Sequence, residues 1–257
     1  MGNQMEETKG EGKKIFLLYP HSVIHQEMLD VLIMAGYETY TLVDAEKARK
    51  LLMKFPGSIM FINIDSGMKE PEWEMYIRNI QSDDATSGSK LGIMSYNQDT
   101  DLMRKYLMDI SVPCGYVQLK LGLHESTKII LNALEANEAR GRRRNIRADC
   151  EDDLSATLNF KSDSDFCHGK ILDISSAGIA AKLEKYKPPE ANSVLREVQL
   201  KLRGGLILTD MIYAGKRSDK KDVYILMFDA KMPHEHKLVI YRYVKLSLQK
   251  YIDGLKV

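Results

Sequence analysis

Five arginines, Arg140, Arg142, Arg143, Arg144 and Arg147, stand within eight residues in the stretch "RGRRRNIRADC", with no acid among them. A guanidinium is a planar fork that grips phosphate or carboxylate oxygens two at a time, and its flat face stacks on aromatic rings. Taken alone, such a run is ordinary solvated charge, and "DCEDD" follows directly with four carboxylates to answer it. A second stretch, "ILDISSAG", carries Asp173, Ser175 and Gly178 in the pattern D-x-S-x-x-G. Read locally, this is a strand end and a tight turn, with Asp and Ser capping the backbone and Gly permitting positive φ. Read with the arginines, it adds a carboxylate acceptor and a neutral hydroxyl to a group of cations.

The elements that must hold these residues differ between the two halves of the chain. Residues 13–137 alternate short apolar runs ("KKIFLLY", "ETYTLV", "SIMFINI", "KLGIMSY", "CGYVQL") with five stretches of helical spacing, which predicts a parallel sheet covered on both faces. Asp44 is placed to cap the second helix, Gly36 to end the first and Pro71 to open the third. From Arg147 onward the runs "SATLNF", "FCHGKILDIS", "GIAAKLEK", "REVQLKLR", "LILTDMIYAGKR" and "DVYILMFDA" read as strands of a small barrel. Leu172/Ile174, Val198/Leu200/Leu202 and Tyr224/Leu226/Phe228 alternate in and out, and "RGG" at Arg203 to Gly205 is a hairpin turn. A last helix, "PHEHKLVIYRYVKLSLQKYI", presents an apolar stripe of Leu238, Val239, Tyr243, Leu246 and Ile252 to seal the barrel or meet a partner. The expected organisation is a tail (1–12), an α/β domain (13–137), an Arg-rich linker (138–147) and a β domain (148–257).

The pair R-x-x-x-R at Arg143 and Arg147, then D-x-S-x-x-G, resembles the PilZ domain, a six-stranded barrel that binds cyclic diguanylate. The resemblance covers roughly residues 141–257. It implies ligand contacts from Arg142, Arg143, Arg144, Arg147, Asp173, Ser175 and Gly178, on a segment that folds over the ligand. It also implies that Arg142, just before the motif, favours a stacked pair of ligands over a single one. The chemistry agrees: arginine matches both phosphate oxygens and the O6 and N7 acceptors of guanine, while Asp173 can accept from guanine N1–H and the exocyclic amine. Ser175 offers a hydroxyl to a phosphate or base atom, and Gly178 lets the backbone turn close to the ligand.

The first half resembles a response-regulator receiver. A working receiver needs acidic residues after its first strand to hold a divalent metal and an aspartate at the end of its third to accept phosphate. Here Pro20, His21 and Ser22 follow the first strand, and either Asn63 or Asp65 falls at the acceptor position. Ser95 and Lys120 match the family's hydroxyl and lysine, but Leu121 stands where its proline is usual. The expectation is a degenerate receiver used for docking or dimerisation.

Bulk properties fit a soluble effector. With 37 Lys+Arg against 36 Asp+Glu, the net charge of +1 argues against a general nucleic-acid or membrane coat. Cys114, Cys150 and Cys167 form no close-spaced pair and read as reduced thiols in a cytosol. No apolar run approaches a membrane span, and Glu6 stands where a myristoylation signal wants Ser or Thr. His21 and His25 lie i, i+4 but lack a third metal ligand, and "HEH" at His234 to His236 reads as exposed capping residues. Trp73 and the Met-rich first helix read as core. No catalytic group and no cofactor are expected. The reading is a cytoplasmic, non-enzymatic cyclic diguanylate receptor, bacterial by resemblance, whose ligand-driven rearrangement changes contact with a protein partner in motility, adhesion or virulence control. A homodimer through the receiver-like domain or the last helix fits that reading. The alternatives are a nucleic-acid-binding regulator that grips phosphates with the arginines, and a scaffold without ligand.

Overall fold

The computed structural model describes residues 12–21, 25–141, 145–162, 165–183 and 186–257. The chain divides into one unit of Met1–Arg144 with Ile252–Val257, and a second of Asn145–Tyr251.

The first unit alternates β1 (Ile15–Leu18), α1 (His25–Met34), β2 (Thr39–Leu42), α2 (Ala45–Lys54), β3 (Ile59–Asn63), α3 (Glu70–Ser82), β4 (Lys90–Ser95), α4 (Thr100–Arg104), β5 (Tyr116–Gln118) and α5 (Leu123–Ala136). Its five strands are all parallel, in the order β2-β1-β3-β4-β5, so this unit is a receiver-like doubly wound sheet. Every residue of β1 and β3 is buried, as strands covered on both faces require. The expected punctuation holds: Asp44 accepts from the Lys47 N–H, Gly36 turns with φ 89° after α1, and Pro71 lies in the first turn of α3. Trp73, Met28 and Leu32 are core. The fourth helix differs from the uniform helix expected: α4 widens into a π-helical turn over Lys105–Asp109. There two consecutive residues, Lys105 (2.9 Å) and Tyr106 (3.2 Å), both reach Glu70 of α3.

The second unit comprises β6 (Arg147–Asp149), β7 (Thr157–Ser162), β8 (Asp165–Ser175), β9 (Gly178–Leu183), β10 (Val194–Leu202), β11 (Gly205–Lys216) and β12 (Val223–Phe228). Strands β8-β7-β10-β11-β12-β9 pair antiparallel in turn, and β9 returns to β8, so six strands close a barrel. Closure removes the open edges that an antiparallel sheet would otherwise expose. The seventh strand, β6, is three residues long and has no apolar alternation, so nothing in its own residues marks it. It shares one edge of β8 with β7: β7 pairs with Asp165 to Lys170, and β6 with Asp173 to Ser175.

Val198, Leu200 and Leu202 are buried as the alternation requires, but Leu172 is only half-buried. A bulge between Ile171 and Asp173 inserts an extra residue, so Ile171 faces the core in place of Leu172, while Ile174 is buried as expected. The hairpin at Arg203 and Gly204 is as expected, with φ +72° at Gly204. The chain ends in α6 (His234–Gly254). Of the expected stripe Tyr243 and Ile252 are buried, joined by Ile240, Val244 and Leu248, while Leu238 and Leu246 are exposed, so the buried face is rotated from the expected one. Among the described residues no helix is long and apolar enough to cross a membrane.

Candidate functional site

The two described arginines of the run, Arg140 and Arg147, have different surroundings. Arg140 belongs to the first unit: it donates to the Ala35 carbonyl at 3.1 Å and lies over the Tyr37 ring, 5.1 Å from its centre. Arg142, Arg143 and Arg144 fall outside the described residues. Arg147 is drawn into the barrel unit by β6, where it stands opposite Ser175, with Asp149 opposite Asp173.

That register brings the end of the first motif onto the second. Arg147 Nη1 lies 3.5 Å from Asp173 Oδ1, and a second guanidinium, Arg217 Nη1, lies 3.6 Å from Oδ2. Both separations exceed the usual span of an N–H···O hydrogen bond, so these are loose ion pairs that a better-placed donor can displace. Asp173 follows the β8 bulge, and bulges re-aim side chains in this way. Arg217 follows a second bulge, between Tyr213 and Gly215, where Gly215 takes φ +146°.

The turn between β8 and β9 is built by the other motif residues. Ser175 is buried; its Oγ accepts from the Ala177 N–H and donates to the Gly178 carbonyl, each at 3.3 Å. Ser176 Oγ donates to Asn145 Oδ1 at 2.9 Å, tying the turn to the residue two before β6. Gly178 does not take the positive φ expected of a turn glycine. Its role is close approach: a Cβ there would lie 2.3 Å from the Leu226 carbonyl oxygen on β12. Of the site residues expected from the sequence, Arg147, Asp173, Ser175 and Gly178 therefore gather where β6, β8 and β9 meet.

Around this rim the charges alternate. Asp219 takes the Nε and Nη2 edge of Arg217 at 2.9 and 2.5 Å, which holds its own carboxyl below the usual range. Lys220 bonds to the Glu151 carboxylate and likewise lowers it. Sequence reasoning missed Arg217, which closes the run "LILTDMIYAGKR". Its one local signal was a basic residue at a strand end, and its meeting with Asp173 depends on barrel closure.

In the first unit the two acceptor candidates have distinct surroundings. Asn63 ends β3, is fully buried and donates to the Tyr19 carbonyl at 2.9 Å. Asp65 lies in the turn beyond, accepting from Ser95 Oγ and from the Tyr96 N–H, both at 2.6 Å. Lys120 donates to Gln98 at 3.2 Å. The His21 ring packs on Tyr96 at 4.7 Å, while the His25 side chain lies outside the described residues. Among the described residues no cluster of three or more metal-type ligands occurs. Cys114, Cys150 and Cys167 are free and buried, and burial pushes the Cys114 thiol up to about 11 and Cys150 to about 12.

No protein-family model matches the sequence, and no curated protein matches it. Among solved structures, the PilZ domain of YcgR from Escherichia coli with c-di-GMP is 17% identical, with a TM-score of 0.37, covering 44% of this chain and 99% of that one. The MrkH–c-di-GMP complex of K. pneumonia is 18% identical, with a TM-score of 0.33, over 40% of this chain and 51% of that one. A signal receiver domain of an HD domain-containing protein from Pseudomonas fluorescens Pf-5 is 16% identical, with a TM-score of 0.41, over 49% of this chain and 90% of that one. The chain is thus similar, at low identity, to solved PilZ and receiver domains.

Proposed function

We propose that this chain is a cyclic diguanylate receptor that transmits ligand level through contact with a protein partner and catalyses no reaction. The observation that carries this is the Arg147–Asp173 pair on the barrel rim, which joins a phosphate-gripping cation to a guanine-edge acceptor. Cyclic diguanylate is a compact dianion with two guanines, and it needs both chemistries within one small site. Arg143 and Arg147 would take phosphate oxygens or the guanine O6/N7 edge, with Arg142 and Arg144 beside them. Asp173 would accept from guanine N1–H and N2–H, and the Ser175–Gly178 turn would hold that carboxylate's strand in register.

Each charge-assisted hydrogen bond contributes about 1.5–3 kcal/mol. Two arginines and one aspartate thus supply much of the ~8 kcal/mol behind micromolar binding. The finer reading, control of motility, adhesion or virulence, rests on the family resemblance alone. Calorimetric titration of the whole protein with cyclic diguanylate and with cyclic diadenylate tests the proposal. Micromolar or tighter binding of the guanine ligand with little response to adenine supports it; equal response, or none, overturns it.

A further inference from the structure

The rim carboxylate has a second cationic partner that neither motif contains, and its role follows from geometry if the cyclic diguanylate reading above holds. Asp173 uses one oxygen for each cation: Oδ1 faces Arg147 and Oδ2 faces Arg217. The two arginines are held differently. Arg147 has a 47% exposed side chain, and Asp173 is its one ionic contact among the described residues. Arg217 is 29% exposed, and Asp219 grips its Nε–Nη2 edge, which leaves Nη1 to point at Asp173. The turn that carries it is fastened as well: the Arg217 N–H donates to the Val223 carbonyl at 2.8 Å, and Lys220 reaches Glu151.

We propose that Arg217 is a positioning residue for Asp173, one that stays in place when Arg147 turns to the ligand. Two arguments carry this. The first is charge. Once Arg147 leaves, a bare Asp173 would face the ligand's two phosphates with nothing to offset the like-charge repulsion. Arg217 remains to offset it. The second is lone-pair accounting. A carboxylate oxygen has two acceptor sites, so Oδ2 can keep Arg217 and still accept one guanine N–H. The vacated Oδ1 accepts the other. A carboxylate held from one side by a clamped guanidinium loses less freedom when the base docks, which favours affinity.

The test is a double-mutant cycle on the full chain, read by calorimetry with cyclic diguanylate. Arg217→Gln is expected to weaken binding about tenfold, and, since both changes disable one unit, Arg217→Gln with Asp173→Asn is expected to bind within about twofold of Asp173→Asn alone. Combined with Arg143→Ala, the same change is expected to multiply through, because Arg143 acts on the ligand by itself. Arg217→Lys, which restores the charge, is expected to recover part of the loss, a rescue that a merely structural role would not show. Wild-type binding with Asp173→Asn weakened and Arg217→Gln unchanged overturns this inference and leaves the receptor reading standing. Full multiplication of the Arg217 and Asp173 effects also overturns it. Failure of the wild type to bind overturns the receptor reading and this inference together. Should Arg217→Gln not fold, Asp219→Ala removes only the exposed clamp; weakening of about threefold supports the proposal by the same coupling argument, and unchanged affinity sinks it.

Discussion

Arg147 stands opposite Ser175 across the β6–β8 ladder, and from there its guanidinium reaches Asp173 at 3.5 Å. A three-residue strand thus fixes where the second motif arginine enters the barrel rim. Because the side chain is half-exposed and its ion pair is loose, stability depends little on it. Arg147→Ala is expected to keep the thermal unfolding midpoint within a few degrees while cyclic diguanylate affinity falls at least tenfold, a change of about 1.4 kcal/mol or more. Calorimetry paired with a thermal melt checks both halves. Unchanged affinity in both Arg147→Ala and Arg143→Ala discards the site assignment.

Asp173→Ala separates the ligand reading from a nucleic-acid one. A phosphate-gripping arginine patch gains from losing a nearby carboxylate, and its affinity falls steeply with salt. A guanine-reading site loses its acceptor for N1–H and N2–H instead. The expected outcome is at least a tenfold loss of cyclic diguanylate affinity and no gain in binding to a duplex oligonucleotide. Fluorescence anisotropy at two salt concentrations measures the second. Tighter oligonucleotide binding by the variant would favour the competing reading.

Much of this arrangement was legible before any coordinates. Asp44, Gly36 and Pro71 act locally, through caps and turns, and local chemistry is what a sequence displays. The two motifs could likewise be picked out by spacing. What escaped was non-local. Strand β6 has no alternation of its own and exists because β8 has a free edge beyond β7. Arg217 lies 44 positions beyond Asp173 in the numbering and meets it through barrel closure. Leu172, and Leu238 and Leu246 of the α6 stripe, differ from expectation for a related reason: a single bulge shifts the in–out phase, and a helix face is chosen by what packs on it.

Gly178 tests whether its glycine serves backbone packing. With no positive φ to accommodate, it is the approach of a Cβ to β12 backbone, 2.3 Å from the Leu226 carbonyl oxygen and 2.9 Å from the Met227 Cα, that forbids a side chain. A backbone oxygen cannot step aside as a side chain would, so β9 and β12 must separate where Gly178 pairs with Met227. Overpacking of this kind costs about 1–3 kcal/mol. Gly178→Ala is expected to lower the urea midpoint by a corresponding amount and to weaken the ligand by displacing the turn. An unchanged midpoint would mean the strands separate freely there.

In the first unit, Asp65 is expected to stay unphosphorylated. Both of its oxygens already accept hydrogen bonds, from Ser95 Oγ and the Tyr96 N–H at 2.6 Å. The residues after β1 are Tyr19, Pro20 and His21, none of which offers a carboxylate to a divalent cation. Incubation with a small phosphodonor and magnesium, followed by intact mass, is expected to give no phosphate adduct. An adduct lost in Asp65→Asn would show an active receiver.

Asp153 makes acid stability a readout of the barrel's own wiring. Burial alone would raise its carboxyl, but Ser155, Tyr243 and Arg203 outweigh it and hold the group down to about 2. Ser155 donates through its hydroxyl at 2.6 Å, Tyr243 at 2.9 Å and Arg203 at 3.0 Å, joining the β6–β7 loop to α6 and to the β10–β11 hairpin. A group depressed in the folded state contributes stability that is fully present above its unfolded value, near 3.9, and lost as pH falls toward the folded value. The wild type is therefore expected to lose stability from about pH 5 downward, with Asp153 contributing to the fall until about pH 2. Asp153→Asn is expected to be less stable at pH 7 by about 2 kcal/mol, the scale of a charge-assisted hydrogen bond. It is also expected to lose less of its remaining stability between pH 5 and 2. Urea unfolding of both proteins across that range measures the difference, and parallel pH profiles would show that Asp153 is not a carboxylate whose ionisation is coupled to folding.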